Sequence, residues 1–278
     1  MLPELISIVF TLTNPEPVSL PVDQGRALSA RFLAWIRSLN PQLSQELHDS
    51  ANLPRPYTVS NLRGKPYTKS DRLFLKADSE VWFRVTSISP KLTRTLIVEL
   101  LPNFEKKINL SKSAFVVKNV TWNPEQHPWA GAATYADLIR DDMLGKTNCH
   151  VPLFFASATA FRSKGAHLPF VLPEMVIRSW AANWNAYSSM AFPKSFLANI
   201  RGAIGVSYYK MKTEVVRYGK ATFIGGVGNC TYNALDRDPY WQQMLNGLAS
   251  FAFYSGTGIK TTMGLGQTRR QDIDTFRQ

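Results

Sequence analysis

The chain opens with an apolar segment that predicts a β-strand. Hydrophobic residues fill most of ELISIVFTLT, residues 4–13, and the turn-rich segment NPEPVSLPVDQG follows it. The next apolar residues recur at helical spacing, which predicts an amphipathic helix that ends at Asn40-Pro41. The residues on its apolar face are Leu28, Phe32, Trp35, Ile36 and Leu39.

Three strands and a second helix are expected in the rest of the first half. RPYTVSNLRG and EVWFRVTSIS are typical of two strands joined by a basic loop, and KINLSKSAFVVKNVTW is strand-like. Between them, Ser89 and Pro90 fit the N-cap and the first-turn proline of a helix. The order strand, helix, two strands, helix, strand is that of a ferredoxin-like fold, whose helices cover one face of an antiparallel sheet. The other face would then stay open for a partner.

The second half begins after a segment with Pro and Gly at residues 124–133, which predicts a domain boundary. A short helix near Tyr135, a strand over residues 149–162 and a helix from Pro173 are expected next. Two long strands joined at Gly219 follow, and a final amphipathic helix reaches Phe251. These elements are compatible with a second ferredoxin-like module, although their order is less regular.

Composition and charge narrow the class of partner. Of 278 residues, 32 are Lys or Arg and 20 are Asp or Glu, so the formal charge is +12. Such a charge favours nucleic acid or an anionic membrane. The first apolar segment follows Glu4, lacks a preceding basic region, and is too short to span a bilayer, so we expect a soluble cytoplasmic protein without membrane contact. Cys149 and Cys230 form no CxxC pair, and we expect neither a metal site nor a cofactor.

A glycine-rich segment near the C-terminus has an unusual spacing. Gly256-x-Gly258 and Gly264-x-Gly266 are separated by five residues that include Lys260. Glycine permits positive φ and close approach to the main chain, whose N–H groups bind phosphate. A dinucleotide fingerprint needs a third glycine three residues after each pair, and a P-loop needs Gly-Lys-Ser/Thr; the segment has neither.

Three segments in a fixed order carry a family resemblance. The glycine segment follows an amphipathic helix, with Thr257 where the second pair has an apolar residue. Ser157–Asn185 contains a strand, a Ser-x-Thr-x-Phe-Arg turn and an aromatic helix, and Asp23–Leu62 contains a helix, a Leu-His-Asp segment and a Tyr-Thr-x-Ser strand. Together they resemble the Cas6 endoribonucleases of the RAMP superfamily, which process CRISPR transcripts. The resemblance implies an α+β fold of two tandem ferredoxin-like (RRM-like) domains, here residues 1–126 and 127–278, each an antiparallel sheet with helices on one face.

The resemblance also implies an activity. Members of this family cleave CRISPR precursor RNA within its repeats without a metal: a ribose 2′-hydroxyl attacks the adjacent phosphate, leaving a 5′-hydroxyl and a 2′,3′-cyclic phosphate. His48 occupies the Leu-His-Asp position, and histidine is the commonest proton-transfer residue. DSANLPRPY lacks the lysine that some members have nearby, and the first helix lacks their tyrosine. Arg26 and Arg31 are therefore the candidates for holding the scissile phosphate, ahead of Lys65, whereas Asp49 is expected to be a cap or a solvated residue.

Cations interleaved with aromatic residues predict an RNA-binding surface. Residues 52–76 and 201–220 both show this pattern, which suits single-strand stacking but is also common on solvated surfaces. The candidate RNA-binding residues are Gly256, Gly258, Lys260, Gly264, Gly266, Arg269, Arg270, Arg162, Lys164, Arg55, Arg63 and Lys65. The expected partner is CRISPR repeat RNA with a stem-loop, proteins of a CRISPR effector complex are further candidates, and the chain is expected to be a monomer or a homodimer.

Two alternatives stay open from the sequence. A RAMP-type RNA-binding subunit of an effector complex would keep the glycine segment and the basic surface but would not depend on His48. A nucleotide-binding metabolic enzyme would use the glycines for a small phosphate ligand and would ignore RNA. The absence of the dinucleotide and P-loop motifs and the charge of +12 both argue against the nucleotide-binding metabolic enzyme.

Overall fold

The computed structural model describes residues 2–49, 53–69, 71–163, 165–219, 221–236 and 238–271. The chain divides into two compact units. The first comprises Met1–Ala132 and Thr262–Gly264, and the second comprises Ala133–Thr261 and Leu265–Gln278. The division therefore lies after residue 132 rather than after residue 126, and three residues of the glycine segment belong to the first unit.

The first unit has a mainly antiparallel architecture with helices between the strands. Its strands are β1 (Leu5–Thr13), β2 (Val18–Pro21), β3 (Tyr57–Val59), β4 (Arg63–Gly64), β5 (Tyr67–Lys69), β6 (Arg72–Leu75), β7 (Glu80–Ser87), β8 (Lys107–Leu110), β9 (Ser113–Thr121) and β10 (Gly131–Ala133). Its helices are α1 (Gly25–Leu39), α2 (Pro41–Asp49) and α3 (Pro90–Thr95), and α3 continues through a π-helical segment, Leu96–Leu100, and a 3₁₀ turn, Leu101–Asn103.

The main sheet of this unit runs in the order β3-β7-β1-β9-β8, with β4 on β7 and β10 on β1. Taken in chain order, β1, β3, β7 and β9 are the four strands of a ferredoxin-like fold, and their neighbours are those that the fold requires. The basic loop between β3 and β7 contains further structure that the pattern did not predict: β5 pairs with β6, and β6 pairs with β2, in a separate three-stranded sheet.

The core of the unit follows from alternation along β1 and from the periodicity of the helices. Every second residue of β1 from Ile6 to Leu12 is buried in the core beneath α1 and α3. Phe10 lies opposite Phe83 of β7, and the two rings stack with centroids 4.8 Å apart. The Oγ atom of Ser89 accepts a hydrogen bond from the amide of Leu92, as the N-cap pattern predicts.

The opposite face of this sheet is not open at its centre, contrary to the expectation from the sequence. Ser7 of β1 and Arg84 of β7 are both fully buried. The segment after β9 folds back over them: the guanidinium of Arg84 lies 4.6 Å from the ring centroid of Trp129, and Ser7 Oγ donates to the Trp129 carbonyl at 2.5 Å. The ring of His127 packs against Trp82 in the same layer, which is why residues 127–132 belong to the first unit.

The second unit repeats the same topology. Its strands are β11 (His150–Thr159), β12 (Phe161–Ser163), β13 (Ala166–Leu168), β14 (Ile204–Tyr218), β15 (Ala221–Ala234) and β16 (Thr268–Arg270). Its helices are α4 (Tyr135–Asp137), which continues as the π-helical segment Leu138–Met143, α5 (Pro173–Tyr187), α6 (Lys194–Ala203) and α7 (Pro239–Ser255). The sheet order β14-β15-β11-β16 places the second, third, first and fourth strands side by side, as in the first unit.

The predicted fold class, α+β with two ferredoxin-like modules, is thus confirmed. The long hairpin of β14 and β15 turns at Gly219, whose φ is 61°. Both cysteines are free; Cys230 is buried, and its burial raises the pKa of the thiol to about 12. No helix in the described ranges is long and apolar enough to cross a membrane.

Candidate functional site

His48 lies at the C-terminal end of α2 with its imidazole in solvent. The side chain is 79% exposed, and its Nδ1 atom lies 3.2 Å from Oδ1 of Asp49. Gln45 Nε2 donates to the other oxygen of Asp49 at 2.6 Å. These hydrogen bonds, first from Gln45 and then from His48, lower the pKa of Asp49. Asp49 thus contacts the imidazole and is not only a solvated residue. The contact uses Nδ1, so the other ring nitrogen, Nε2, does not bond to this carboxylate.

The placement of His48 follows from the way α2 is anchored. Asn40 Oδ1 accepts from the amide of Leu43 at 2.9 Å, so Asn40-Pro41 begins a new helix as well as ending α1. Leu43 and Leu47 are the buried residues of α2, and His48 follows on the exposed side. Arg55 Nη2 donates to the carbonyl oxygen of His48 at 2.9 Å. A cation at the C-terminal carbonyls stabilises a helix, so Arg55 supports the end of α2 that carries His48.

The N-terminus of α1 carries Arg26, the first candidate for phosphate contact. The side chain of Arg26 is exposed in the first turn of the helix. Asp23 precedes the helix, and burial raises the pKa of its carboxyl to about 6 although the backbone N–H groups of Arg26 and Gly25 hydrogen-bond to it. The amide of Gly25 also donates to Asn61 Oδ1 at 2.5 Å. The first turn of α1 is therefore held by two side chains, neither of which engages the guanidinium of Arg26 in an ion pair.

Arg31, the second candidate, has a different environment. Its guanidinium forms an ion pair with Glu105 Oε1 and lies 5.6 Å from the ring centroid of Trp35. Trp35 Nε1 donates to the same carboxylate oxygen at 2.5 Å. Arg31 is therefore held on the helix flank by Glu105, and the structure gives it a packing role that the sequence did not indicate.

The four glycines of the C-terminal segment all have positive φ, as their spacing predicts. Their φ values are 66° at Gly256, 79° at Gly258, 98° at Gly264 and 67° at Gly266. A β-carbon built on Gly258 would lie 2.3 Å from the carbonyl oxygen of Ala160. Each glycine is thus required by the conformation of the segment itself.

The amides next to these glycines are largely engaged within the protein. Thr257 N donates to the Gly266 carbonyl at 2.9 Å, Gly258 N donates to Ser179 Oγ at 3.0 Å, and Gly266 N donates to the Ala158 carbonyl at 3.0 Å. The glycine spacing predicts that this segment lines an RNA backbone. In the structure, Gly256, Gly258 and Gly266 shape the turn, because their neighbours are protein atoms, and their contact with RNA stays a prediction.

The middle of the segment is its accessible part. A 3₁₀ turn covers Thr261–Met263, and Lys260 before it is exposed with a positive φ of 56°. Lys260 Nζ lies 5.9 Å from the ring centroid of Phe223. Gly264 forms a bridge with Ser60, and a β-carbon on it would lie 2.6 Å from Asn61 Oδ1. Asn61 thus contacts both Gly25 and Gly264, a link between segments remote in sequence that no local pattern signals.

The other predicted RNA-binding residues belong to different elements of the two units. Arg162 is exposed on β12, Lys65 is exposed between β4 and β5, and Arg63 lies on β4 opposite Trp82. Lys164 lies outside the described residues. Arg269 pairs with Phe154 in the ladder of β11 and β16.

Arg270 is engaged inside the second unit. Its Nη1 atom lies 2.8 Å from both Asp142 Oδ1 and Ser250 Oγ, and its Nη2 atom donates to Asn246 Oδ1 at 2.9 Å. These contacts fix β16 against α7 and the segment after α4, so Arg270 has a structural role, and its contact with RNA stays a prediction. Among the described residues, no group of three or more His, Cys, Asp or Glu side chains is placed to hold a metal ion.

Comparisons with known proteins match most of the chain. The family model described as "CRISPR Cas6 N-terminal domain" matches residues 5–140, and the one described as "CRISPR-associated endoribonuclease Cas6" matches residues 153–268. A CRISPR-associated endoribonuclease Cas6 of Mycobacterium tuberculosis is 26% identical over 120 residues, which is 43% of this chain. The matched segment spans only 38% of that relative's length.

Solved structures extend the similarity to nearly the whole chain. A Cas6 in a product complex superimposes with a TM-score of 0.78 and 25% identity, covering 96% of this chain and 99% of the other. A second product complex, of a Thermus thermophilus Cas6, has a TM-score of 0.77 and 22% identity and covers 96% and 100% of the two chains. At that identity the second likeness concerns the fold alone.

Proposed function

We propose, since the chain belongs to the Cas6 family of CRISPR-associated endoribonucleases, that it cleaves CRISPR precursor RNA within the repeats. The cleavage is metal-independent and leaves a 5′-hydroxyl on one product and a 2′,3′-cyclic phosphate on the other. The observation that carries this proposal is His48, an exposed imidazole at a helix end whose Nδ1 atom is 3.2 Å from the carboxylate of Asp49.

The pair of His48 and Asp49 suits proton transfer. A carboxylate on Nδ1 favours the tautomer with its proton on that nitrogen, which leaves Nε2 free to accept a proton. Gln45 holds the carboxylate from its other oxygen, which orients it towards the ring. The ring is solvent-exposed, so an RNA phosphodiester has access to Nε2 without displacing packed side chains.

The reaction requires two proton transfers and one displacement at phosphorus. The ribose 2′-oxygen loses its proton and forms a bond to phosphorus, while the bond from phosphorus to the 5′-oxygen breaks and that oxygen gains a proton. His48 serves as the proton-transfer group at this phosphate, a role that contributes roughly 10² to 10⁴ in rate. The negative charge that develops on the phosphoryl oxygens requires a cation or N–H donors nearby.

Arg26 is the proposed cation of the site. It is exposed at the N-terminus of α1, where the helix dipole also favours an anion. Arg31 is a weaker choice than the sequence indicated, because its guanidinium already pairs with Glu105. Lys260 and the accessible turn after it are proposed to contact the RNA backbone, and Lys65, Arg63, Arg162 and Arg269 stay candidates for the same task.

Incubation of end-labelled repeat RNA with the protein in EDTA tests the proposal. The RNA comes from the CRISPR array of the same genome, and the cleavage position and end groups are mapped. We expect cleavage by the wild type and a loss of about 10² to 10⁴ in single-turnover rate for His48→Ala, with the affinity for RNA retained. A single 2′-deoxy substitution at the mapped position should stop cleavage of the wild type.

His150→Ala is the matched control, because His150 is a second exposed histidine, at the start of β11. It should cleave at the wild-type rate. Full activity of His48→Ala would refute the role of His48. RNA binding without any cleavage by the wild type would instead favour a RAMP-type RNA-binding subunit.

A further inference from the structure

The three-stranded sheet of β2, β6 and β5 presents an outer face of aromatic rings and cations. Tyr67 of β5 lies directly opposite Phe74 of β6, and Lys69 lies opposite Arg72. Because side chains two residues apart share a face of a strand, all four project from the same side of the sheet. Lys76, two residues beyond Phe74, extends this row. These five residues are called the aromatic-cationic face.

The other side of the same sheet is anchored in the core. Leu20, Leu73 and Leu75 are at most 5% exposed and belong to the hydrophobic core of the first unit. Arg72 ties the central strand β6 to β2, since its Nε and Nη2 atoms donate to the Oγ and carbonyl oxygen of Ser19 at 2.6 Å. The aromatic-cationic face is therefore built on a fixed support.

The two rings on this face are exposed to solvent. Tyr67 is 65% exposed and Phe74 is 38% exposed, with ring centroids 6.3 Å apart and an interplanar angle of 43°. They line a groove of about 680 Å³ together with Pro17, Val18, Lys69 and Lys76. The exposure of these two rings to water is unfavourable in the isolated protein, because both are large and apolar. A ligand with flat apolar faces would remove them from water.

We propose that the aromatic-cationic face binds unpaired RNA nucleotides, with bases stacked on Tyr67 and Phe74 and phosphates beside the lysines. This inference rests on the proposed function for the identity of the ligand, which would be a single-stranded stretch next to the cleaved repeat. Stacking on exposed aromatic side chains with nearby cations is the general mode of single-strand binding on β-sheets.

Charge and shape support this occupant. Lys69 and Lys76 lie at the groove, and no carboxylate is among the described residues that line it. A double helix keeps its bases stacked on one another, so its outer surface offers phosphates but no base faces to Tyr67 and Phe74. Unpaired nucleotides offer base faces to the rings as well as phosphates to the cations.

Fluorescence polarisation with fluorescein-labelled octauridine tests the proposal. The double variant Tyr67→Ala/Phe74→Ala should bind octauridine at least about tenfold more weakly, because each base stacked on an aromatic side chain is worth roughly 5- to 150-fold in affinity. Tyr67→Phe, which keeps the ring, should bind like the wild type. Phe170→Ala, which removes an aromatic side chain that is 53% exposed in the second unit, is the matched control and should have no effect.

A second measurement separates stacking from phosphate contact. Lys69→Gln/Lys76→Gln should lower the slope of log affinity against log salt by about 1.4, the value for two phosphate contacts on a single strand. Thermal melting of each variant checks that the fold is kept. Wild-type affinity of the aromatic double variant for octauridine, with its melting temperature unchanged, would overturn the proposal and leave the face to a protein partner.

The outcome for this face is distinguishable from the outcome for cleavage. A repeat hairpin without unpaired flanks should be cleaved by the aromatic double variant at the wild-type rate. If octauridine binding depends on the rings but no repeat RNA is cleaved, the face stands and the proposed nuclease fails. If the variant loses hairpin cleavage and octauridine binding equally, the rings act on the fold or on the catalytic site, and the separate face is refuted.

Discussion

Replacing Gly266 with alanine should destabilise the protein far more than a positive φ alone explains. The φ of Gly266 is 67°, and a β-carbon there would lie 2.1 Å from the carbonyl oxygen of Thr257. Placing an L-residue in this conformation costs about 1–2 kcal/mol. The overlap must move the main chain, which adds about 1–3 kcal/mol and weakens the hydrogen bond from Thr257 N to Gly266 O, worth about 1 kcal/mol.

Gly219→Ala isolates the conformational part of this effect. Gly219 has a φ of 61°, close to that of Gly266, but nothing lies within 4 Å of the position of its β-carbon. This variant should therefore lose only the conformational term, about 1–2 kcal/mol. The difference between the two variants, about 3 kcal/mol from overlap and hydrogen bonding, measures how closely the main chains of the turn approach each other.

Differential scanning calorimetry of the two variants reads out this difference. A change of 1 kcal/mol shifts the melting temperature by about 2–4 °C in a protein of this size range. Gly266→Ala should therefore melt about 6–12 °C below Gly219→Ala. Equal melting temperatures would show that the turn tolerates a β-carbon, and the reasoning that the glycines serve internal packing rather than a ligand would fail.

Two further predictions concern charged groups. Burial raises the pKa of Asp23 from 3.8 to about 6, so ionisation costs more in the folded than in the unfolded protein, and wild-type stability falls as pH rises through this window. Because the carboxyl is half-exposed, the effect on the free energy of unfolding is about 1 kcal/mol. Thermal melts should show that Asp23→Asn is more stable than the wild type at pH 7.5 but not at pH 4. Arg270→Ala should lose about 2 kcal/mol in urea unfolding, since it leaves Asp142 unpaired at 25% exposure. It should keep wild-type affinity for repeat RNA, whereas a selective loss of affinity in a stably folded variant would contradict the structural role.

Strong periodicity explains which elements the sequence predicted well. α1, α5 and α7 each carry at least five buried residues on one face, and the hairpin of β14 and β15 has long strands around one glycine turn. α2 was missed because its nine residues bury only Leu43 and Leu47, and because Asn40-Pro41 signals both an end and a beginning. β6 and β16 have four and three residues, so pairing with the remote strands β2 and β11, rather than local preference, defines them, and the three-residue strand β5 pairs with β6.

The candidate site shows the same limit at the level of side chains. His48 was identified from a family resemblance, since a single histidine has no local pattern of its own. Adjacent side chains usually diverge, yet at the end of α2 the carboxylate of Asp49 reaches the ring of His48 at 3.2 Å. Arg31 pairs with Glu105, which lies 74 residues away along the chain. The sequence does not reveal this partner, so Arg31 was predicted to contact the phosphate. A contact of that kind depends on the assembled sheet, and no spacing rule reveals it.

The glycine segment shows why one sequence signal has two structural meanings. The spacing predicted positive φ at four glycines, and all four have it. Whether a ligand or the protein itself approaches a glycine is a different question, because a missing β-carbon makes room for either. In the structure the Ala160 carbonyl lies against Gly258 and the Thr257 carbonyl against Gly266, so the room is taken by the protein. Contact with RNA stays a prediction for the side chains and amides between the two pairs, and Lys260→Ala should lower RNA affinity without the large loss of stability expected at Gly266.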